Sequence, residues 1–176
     1  MKRHDVRALC ISAVTGAAYA ALTMLLAPIS YGAVQFRVSE ALCVLPYFIP
    51  GTAWGLTLGC AIANILTGNI FDVIFGSLAT LAAGLCTAWT GRRRRGAAGA
   101  LMACMMPVVF NGAVVGAVIT RAYNGLGVFS HIGVFAINAA QVALGEAAVM
   151  LVLGLPLMRV LPKQAFMREF LDEEKF

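Results

Sequence analysis

The chain has 176 residues, of which 61% are hydrophobic and 12% are charged, and its mean hydropathy is +0.87. Soluble domains carry charge on roughly a quarter of their residues, so this composition excludes an ordinary soluble domain and indicates an integral membrane protein. The formal net charge of +5 does not indicate a nucleic-acid partner. The basic residues lie at the ends of apolar segments, where lipid headgroups and membrane topology account for them.

The length limits the number of membrane crossings. A helix needs about 20 residues to cross the hydrocarbon, so the chain holds about six spans with short loops and has no room for a second domain. We therefore predict an all-α membrane protein with a single domain over residues 1–176, built as a compact bundle of six transmembrane helices.

The first apolar segment runs from about residue 8 to 27 and is closed by Pro28. It is too long for the apolar region of a signal peptide, so we predict a retained first span. Three small residues four positions apart would stack on one face of this helix and let another helix approach closely, although chance spacing of a common residue is the alternative. These residues are Ala13, Ala17 and Ala21.

The stretch 31–42 (YGAVQFRVSEAL) interrupts the apolar sequence with a cation, Arg37, and an anion, Glu40. Charged side chains beside membrane spans are costly unless they pair, face water or hold a ligand. We therefore interpret this stretch, which connects the first two predicted spans, as a candidate binding site.

Residues 38–67 cross the membrane either once or twice. These 30 residues contain Pro46, Pro50 and Gly51 and are too few for two full crossings of about 20 residues each. All lysines and arginines except Arg37 and Arg121 lie near the N-terminus, in the 92–95 loop or near the C-terminus. Two crossings place these three regions on one side, so the positive-inside rule favours six spans with both termini cytoplasmic.

The second span is then short and proline-broken. A helix over 39–49 would be only about 17 Å long, so its outer end must begin below the membrane surface. We therefore expect Arg37 and Glu40 to be recessed in protein or in a water-lined cavity.

The remaining spans are predicted at 52–66, 71–89, 99–120 and from 131 or 132 to about 155. Asp72 begins the fourth span. A carboxylate at this position would complement the helix dipole, and Asn69 could cap the helix, so a structural role explains Asp72 as well as ligand binding does. The tail 163–176 carries Phe166 and Phe170 on one face, which fits a short interfacial helix or a frayed terminus.

Polar side chains also lie deep in the last two spans. Asn111 lies about 18 Å from the inner end of the fifth span, and Glu146 about 21 Å below the outer end of the sixth. A carboxyl group at that depth needs a partner such as Asn111, a ligand amine or a proton of its own. Asn138 and Gln141 lie one turn apart in the sixth span, nearer its outer end.

The sequence offers little support for catalysis. It lacks a phosphate-binding loop, its five cysteines are odd in number and lie in apolar runs, and neither His4 nor His131 belongs to a cluster with metal-ligand spacing. No serine lies in a nucleophile elbow. We expect no enzyme activity, no metal and no cofactor. Any pumping must therefore be powered elsewhere.

Several stretches resemble the QueT family. They are 31–42, 59–64 (GCAIAN), 72–81 (DVIFGSLATL), 107–112 (PVVFNG), Gly145-Glu146 and 153–157 (LGLPL). The first and third stretches are specific because they are long. They also carry polar residues at positions where contact with lipid alone would not favour them. Members of this family are substrate-capture (S) components of energy-coupling factor (ECF) transporters for queuosine precursors in the cell membrane.

The resemblance implies a 7-deazaguanine substrate such as preQ1 or preQ0, and two cytosolic ATPases and a membrane scaffold subunit as partners. It also implies that the alanine face of the first span contacts the scaffold. The motifs and the chemistry of a planar polar ligand together give a set of candidate substrate-binding residues. These are Arg37, Glu40, Asp72, Asn111, Asn138, Gln141 and Glu146, with the aromatic residues Tyr31, Phe36 and Phe75.

The hydrogen-bonding groups along the edge of a 7-deazaguanine suggest roles for these candidate residues. We expect two of Glu40, Asp72 and Glu146 to take the N–H donors and the aminomethyl cation, an amide to take the remaining edge, and the 31–37 loop to close over the ring. An S component for another vitamin or base, a non-transporting assembly subunit and a solitary facilitator are the alternatives. A membrane enzyme is the least supported.

Overall fold

A computed structural model describes residues 3–31, 34–165 and 167, and the regular structure within these ranges is helical. The helices, in chain order, are α1 (Arg3–Leu25), α2 (Ala27–Ser30), a 3₁₀ helix (Val38–Tyr47), α3 (Thr52–Asn64), α4 (Ser77–Arg93), α5 (Ala97–Val118), α6 (Ile132–Val149) and α7 (Leu155–Val160). Single π-helical segments precede α4 (Asp72–Gly76), extend α5 (Ile119–Tyr123) and extend α6 (Met150–Gly154). Short 3₁₀ turns lie at Ile65–Thr67 and Leu161–Lys163.

Four helical stretches in the described part of the chain are long and apolar enough to cross a membrane. They are Val6–Leu25, Asp72–Arg93, Ala97–Tyr123 and Ile132–Lys163. Val38–Tyr47 and Thr52–Thr67 are shorter apolar helices. The prediction of an all-α membrane protein is therefore confirmed, whereas the count of six crossings stays a prediction. The predicted C-terminal face with Phe166 and Phe170 lies outside the described residues.

Several connections meet at one end of the bundle, which we call the basic end because the 92–95 loop lies there. The Tyr47 hydroxyl donates to the Arg94 carbonyl oxygen at 2.7 Å, and the Ser12 hydroxyl donates to the Gly51 carbonyl oxygen at 2.9 Å. Ile49 packs in one apolar cluster with residues from the start of α1 and from the chain after α7, among them Ala8, Leu161 and Met167. The start of α1, the end of the 3₁₀ helix, the α4–α5 loop and the end of α7 therefore lie together.

α1 and α3 pack backbone to backbone. A Cβ atom added at Gly55 would fall on the Ser12 backbone, and one added at Gly59 would fall on the Gly16 backbone. Small residues allow such close approach between helices in membrane bundles. The predicted alanine face of α1, formed by Ala13, Ala17 and Ala21, lies on a different side of the helix and is exposed.

The 3₁₀ helix lies inside the bundle, with Pro46 near its end. Ten residues at about 2.0 Å each make it about 20 Å long. The Ser39 hydroxyl is 2.6 Å from the Thr23 hydroxyl, which holds the beginning of this helix against α1. Arg37 and Glu40, at this beginning, are both buried, as the sequence predicted.

Candidate functional site

Glu40 is fully buried in the first turn of the 3₁₀ helix, and both of its carboxylate oxygens have partners. The Tyr19 hydroxyl of α1 donates to Oε1, and the Cys43 thiol donates to Oε2 at 3.0 Å. A buried charge needs such partners because it has lost its contacts with water. Glu40 thus ties the 3₁₀ helix to α1.

Arg37 is buried at the start of the 3₁₀ helix, with its side chain directed into the bundle. Its Nε donates to the Ser30 carbonyl oxygen at 3.4 Å, and one terminal nitrogen lies 3.9 Å from the Cys60 sulfur of α3. Its guanidinium carbon is 5.3 Å from the centre of the Tyr31 ring, within range of a cation–π contact. Arg37 therefore joins the end of α2 to α3.

Tyr31 supports this arrangement from the connection after α2. Its hydroxyl donates to the Ala63 carbonyl oxygen at 2.7 Å. Burial raises the pKa of the Tyr31 phenol, although the charge of Arg37 opposes this effect. The phenol therefore stays protonated at neutral pH and keeps its role as a donor. Residues 32 and 33 of the predicted closing loop lie outside the described residues.

Glu146 lies buried in α6 with one oxygen paired. Asn111 of α5, predicted as its partner, donates from Nδ2 to Glu146 Oε1 at 2.8 Å, so this pairing is confirmed. Glu146 Oε2 is buried without a hydrogen-bond partner among the described residues. The Gln35 backbone lies against the neighbouring Gly145, where a Cβ atom would collide with it. The segment that leads to Arg37 therefore crosses α6 beside Glu146.

These residues form what we call the central cluster, made of Tyr19, Arg37, Glu40, Cys43, Cys60, Asn64, Asn111 and Glu146. The contact between Gly145 and the Gln35 backbone brings the Asn111–Glu146 pair next to the segment that carries Arg37 and Glu40. Two carboxyl groups, a guanidinium and two amides are thus collected among apolar helices. Such a set can bind a polar molecule that has both hydrogen-bond donors and acceptors.

Asn64 was not among the predicted site residues. Its side chain is fully buried at the end of α3, where Nδ2 donates to the Asp72 carbonyl oxygen at 2.9 Å and contacts the Cys60 sulfur at 3.4 Å. Its Oδ1 has no hydrogen-bond partner among the described residues. The sequence feature that could have indicated Asn64 is an amide at the end of an otherwise apolar helix. It lies within the stretch 59–64, which carries part of the family resemblance.

Asp72 and Asn138 lie in a second group, at the end of the bundle opposite the basic end. The Tyr123 hydroxyl donates to Asp72 Oδ2, and Asn138 Nδ2 donates to Thr120 Oγ1 at 2.9 Å and to Asn124 Oδ1 at 3.1 Å. Asn69 accepts the Phe71 backbone N–H at 2.9 Å, as predicted for a cap. This group holds together the ends of α4, α5 and α6 that lie opposite the basic end.

The other predicted residues lie nearer the surface. Gln141 is half-buried, and the rings of Phe36 and Phe75 are 42% and 44% exposed. Phe75 stacks on Phe71, with ring centres 6.2 Å apart. The structure therefore brings Arg37, Glu40, Asn111 and Glu146 together, with Tyr31 beside them, and leaves the two phenylalanines outside the central cluster. Within the described ranges, no three His, Cys, Asp or Glu side chains are grouped so as to hold a metal ion.

Comparison with known proteins places the chain in a family. A family model described as QueT transporter matches residues 9–163. The protein named queuosine precursor transporter QueT from Lactococcus lactis subsp. cremoris (strain MG1363) is 41% identical over 83 residues, which cover 46% of this chain and 49% of that protein. The matched part of the chain thus spans about half the length of this curated relative. No solved structure matches the chain.

Proposed function

Because the chain belongs to the QueT transporter family, we propose that it is the substrate-binding S component of an ECF importer for a queuosine precursor. The substrate is a 7-deazaguanine such as preQ1 or preQ0, captured from the outer side of the cell membrane. Both termini lie in the cytoplasm. The name of the Lactococcus lactis relative supports the substrate class.

The observation that carries the proposal is the central cluster, and Glu146 above all. A carboxyl group that is 1% exposed in an apolar bundle is costly to keep there, and one of its oxygens has no partner in the described part of the chain, so Glu146 is a candidate functional residue. A 7-deazaguanine presents N–H donors to a carboxylate and a carbonyl oxygen to a guanidinium. Glu146 and Arg37 provide those two groups. The aminomethyl cation of preQ1 would also be favoured beside a second carboxylate, Glu40.

Delivery of the substrate requires partners. As the family resemblance implies, we propose that two cytosolic ATPases supply the energy through a membrane scaffold subunit, since this sequence has no phosphate-binding loop of its own. The exposed alanine face of α1 (Ala13, Ala17, Ala21) is the proposed scaffold contact, because small side chains let a second helix approach closely. An open groove of about 400 Å³ lies beside it on the same helix, lined by Val6, Arg7, Cys10, Ile11, Val14 and Thr15.

Two measurements test the substrate assignment. Mass spectrometry of the small molecules that remain bound after gentle detergent extraction should identify a 7-deazaguanine. Titration of purified protein with preQ1 should show affinity losses of about 5- to 150-fold for Glu146→Gln and Glu40→Gln, because each variant leaves a buried partner unpaired. Asp5→Asn, near the beginning of α1, is the control and should bind as the wild type does.

Unchanged affinity in both glutamate variants would remove these residues from the site.

An uptake experiment separates the S component from a solitary facilitator. In cells that lack the scaffold and ATPase subunits, the protein should bind preQ1 without accumulating it. Accumulation there would argue for a facilitator.

A further inference from the structure

Three buried polar atoms have no hydrogen-bond partner among the described residues: Ser30 Oγ, Asn64 Oδ1 and Glu146 Oε2. Their side chains are at most 1% exposed. Native structures leave few buried polar atoms unpaired, because each such atom has lost its hydrogen bond to water without gaining another. Three such atoms in one small bundle therefore need an explanation.

All three residues are linked to the same cation. The carbonyl oxygen of Ser30 accepts a hydrogen bond from Arg37 Nε at 3.4 Å. The Cys60 sulfur contacts both Arg37, at 3.9 Å, and Asn64 Nδ2, at 3.4 Å. Gly145, next to Glu146 in the chain, packs directly against the Gln35 backbone, two residues before Arg37. The unpaired atoms thus belong to residues that lie around Arg37 rather than at unrelated places.

The orientation of the Asn64 amide is fixed by its surroundings. Nδ2 donates to the Asp72 carbonyl oxygen at 2.9 Å, and a flipped amide would set two oxygen atoms against each other there. Gly76 leaves the space for this bond, since a Cβ atom at that position would lie 2.8 Å from Nδ2. Oδ1 is therefore held as an acceptor, and the protein provides it with no donor in the described ranges.

We propose that Ser30 and Asn64 are further ligand-binding residues, and that with Glu146 they accept N–H groups of the ligand while Arg37 donates to its carbonyl oxygen. This inference rests on the proposed function. A 7-deazaguanine has a ring N1–H, an exocyclic 2-amino group and a pyrrole N–H, together with one carbonyl acceptor. Its three donor groups match three unpaired acceptors, and its carbonyl oxygen matches the Arg37 guanidinium beside them.

Ser30→Ala gives the cleanest test. The substitution removes the unpaired hydroxyl and keeps the backbone carbonyl that holds Arg37. We expect affinity for 7-deazaguanine to fall about tenfold, whereas the thermal midpoint of the ligand-free protein stays the same or rises, since an unpaired buried group has been removed. Ser12→Ala is the matched control, because the Ser12 hydroxyl is bonded to Gly51 at the basic end. It should lower the thermal midpoint and leave affinity unchanged.

Ligand analogues test Asn64. The wild type should bind 7-deazahypoxanthine, which lacks the 2-amino group, and 9-methyl-7-deazaguanine, which lacks the pyrrole N–H, more weakly than 7-deazaguanine. In Asn64→Leu the preference over one of these analogues should disappear, because the acceptor for that N–H is gone. A merely structural Asn64 would lower the affinity for all three compounds by the same factor.

The outcomes separate the two proposals. Wild-type affinity in Ser30→Ala, or unchanged preferences in Asn64→Leu, would overturn this inference in a protein that still binds 7-deazaguanine, and the proposed function would stand. Failure of the wild type to bind any 7-deazaguanine would overturn both. If Asn64→Leu does not fold, Ser30→Ala decides alone.

Discussion

The two carboxyl groups of the central cluster differ in how fully the protein pairs them. Glu40 has a donor on each oxygen, from Tyr19 and Cys43, whereas Glu146 has a donor on one oxygen, from Asn111. A fully paired buried carboxylate stabilises the fold, and a half-paired one keeps capacity for a ligand. Glu40 thus also positions the 3₁₀ helix, whereas Glu146 keeps one oxygen without a partner among the described residues and is the carboxyl group better suited to contact substrate.

Tyr19→Phe tests the structural role of Glu40. The change deletes the O–H donor to a buried carboxyl oxygen and should lower the free energy of unfolding by about 1–3 kcal/mol. The thermal or denaturant midpoint of the purified protein in detergent measures the loss. Tyr47→Phe is the matched control, because the Tyr47 hydroxyl donates to the Arg94 carbonyl oxygen in an exposed position where water can replace it. Equal losses in the two variants would mean that Glu40 does not depend on Tyr19.

At the scale of single residues, the sequence identifies the side chains that are costly to bury in a membrane bundle. Arg37, Glu40 and Glu146 stand out because a charge in an apolar chain demands a partner, and Asn111 follows as a candidate for that partner. Ser30 and Asn64 look like ordinary polar residues at helix ends. Their significance depends on which atoms stay unpaired after packing, and no pattern in the sequence records that.

At the scale of elements, α1 uses its two small-residue faces differently. The face with Ser12 and Gly16 packs against α3, whereas the face with Ala13 and Ala17 is exposed. The spacing of the alanines is visible in the sequence, but their exposure is not, because an identical pattern fits a buried helix.

The 3₁₀ form of Val38–Tyr47 was also beyond sequence reasoning, which predicted a short proline-broken helix. Proline, burial and the ties to α1 decide the helix type together.

Ala17→Leu tests the proposed contact of α1 with a scaffold subunit. A larger side chain would keep a second helix away from this face, so docking should weaken by about tenfold or more, a loss of about 1.4 kcal/mol, and uptake of preQ1 by cells with the complete transporter should fall with it. Binding of preQ1 to the isolated protein should not change. Ala140→Leu makes the same substitution at an exposed position of α6 and should leave both measurements unchanged. Normal uptake in Ala17→Leu would exclude this face as the contact.

At the scale of the whole molecule, the basic end supports the predicted orientation of the chain in the membrane. The regions rich in lysine and arginine were predicted to share one side from charge alone, and contacts such as Tyr47 with Arg94 bring the loop, the start of α1 and the end of α7 to one end of the bundle. The aromatic residues agree with this arrangement. Trp54 and Trp89 are exposed near the same end, and Arg93 lies 5.8 Å from the centre of the Trp89 ring. Tryptophan and arginine are typical of a membrane interface.

Single-cysteine labelling tests the membrane topology that follows. Ser130 and Gln164 are exposed at opposite ends of the bundle, so each can carry a cysteine in a protein whose accessible Cys10 and Cys86 are replaced by alanine. With six crossings and cytoplasmic termini, a membrane-impermeant maleimide should label Ser130→Cys in intact cells and Gln164→Cys only after permeabilisation. The protein without either new cysteine is the control, because Cys43, Cys60 and Cys104 are buried. If residues 38–67 crossed the membrane once, the loop at Ser130 would face the cytoplasm and the C-terminal segment the outside, and the two labelling patterns would be exchanged.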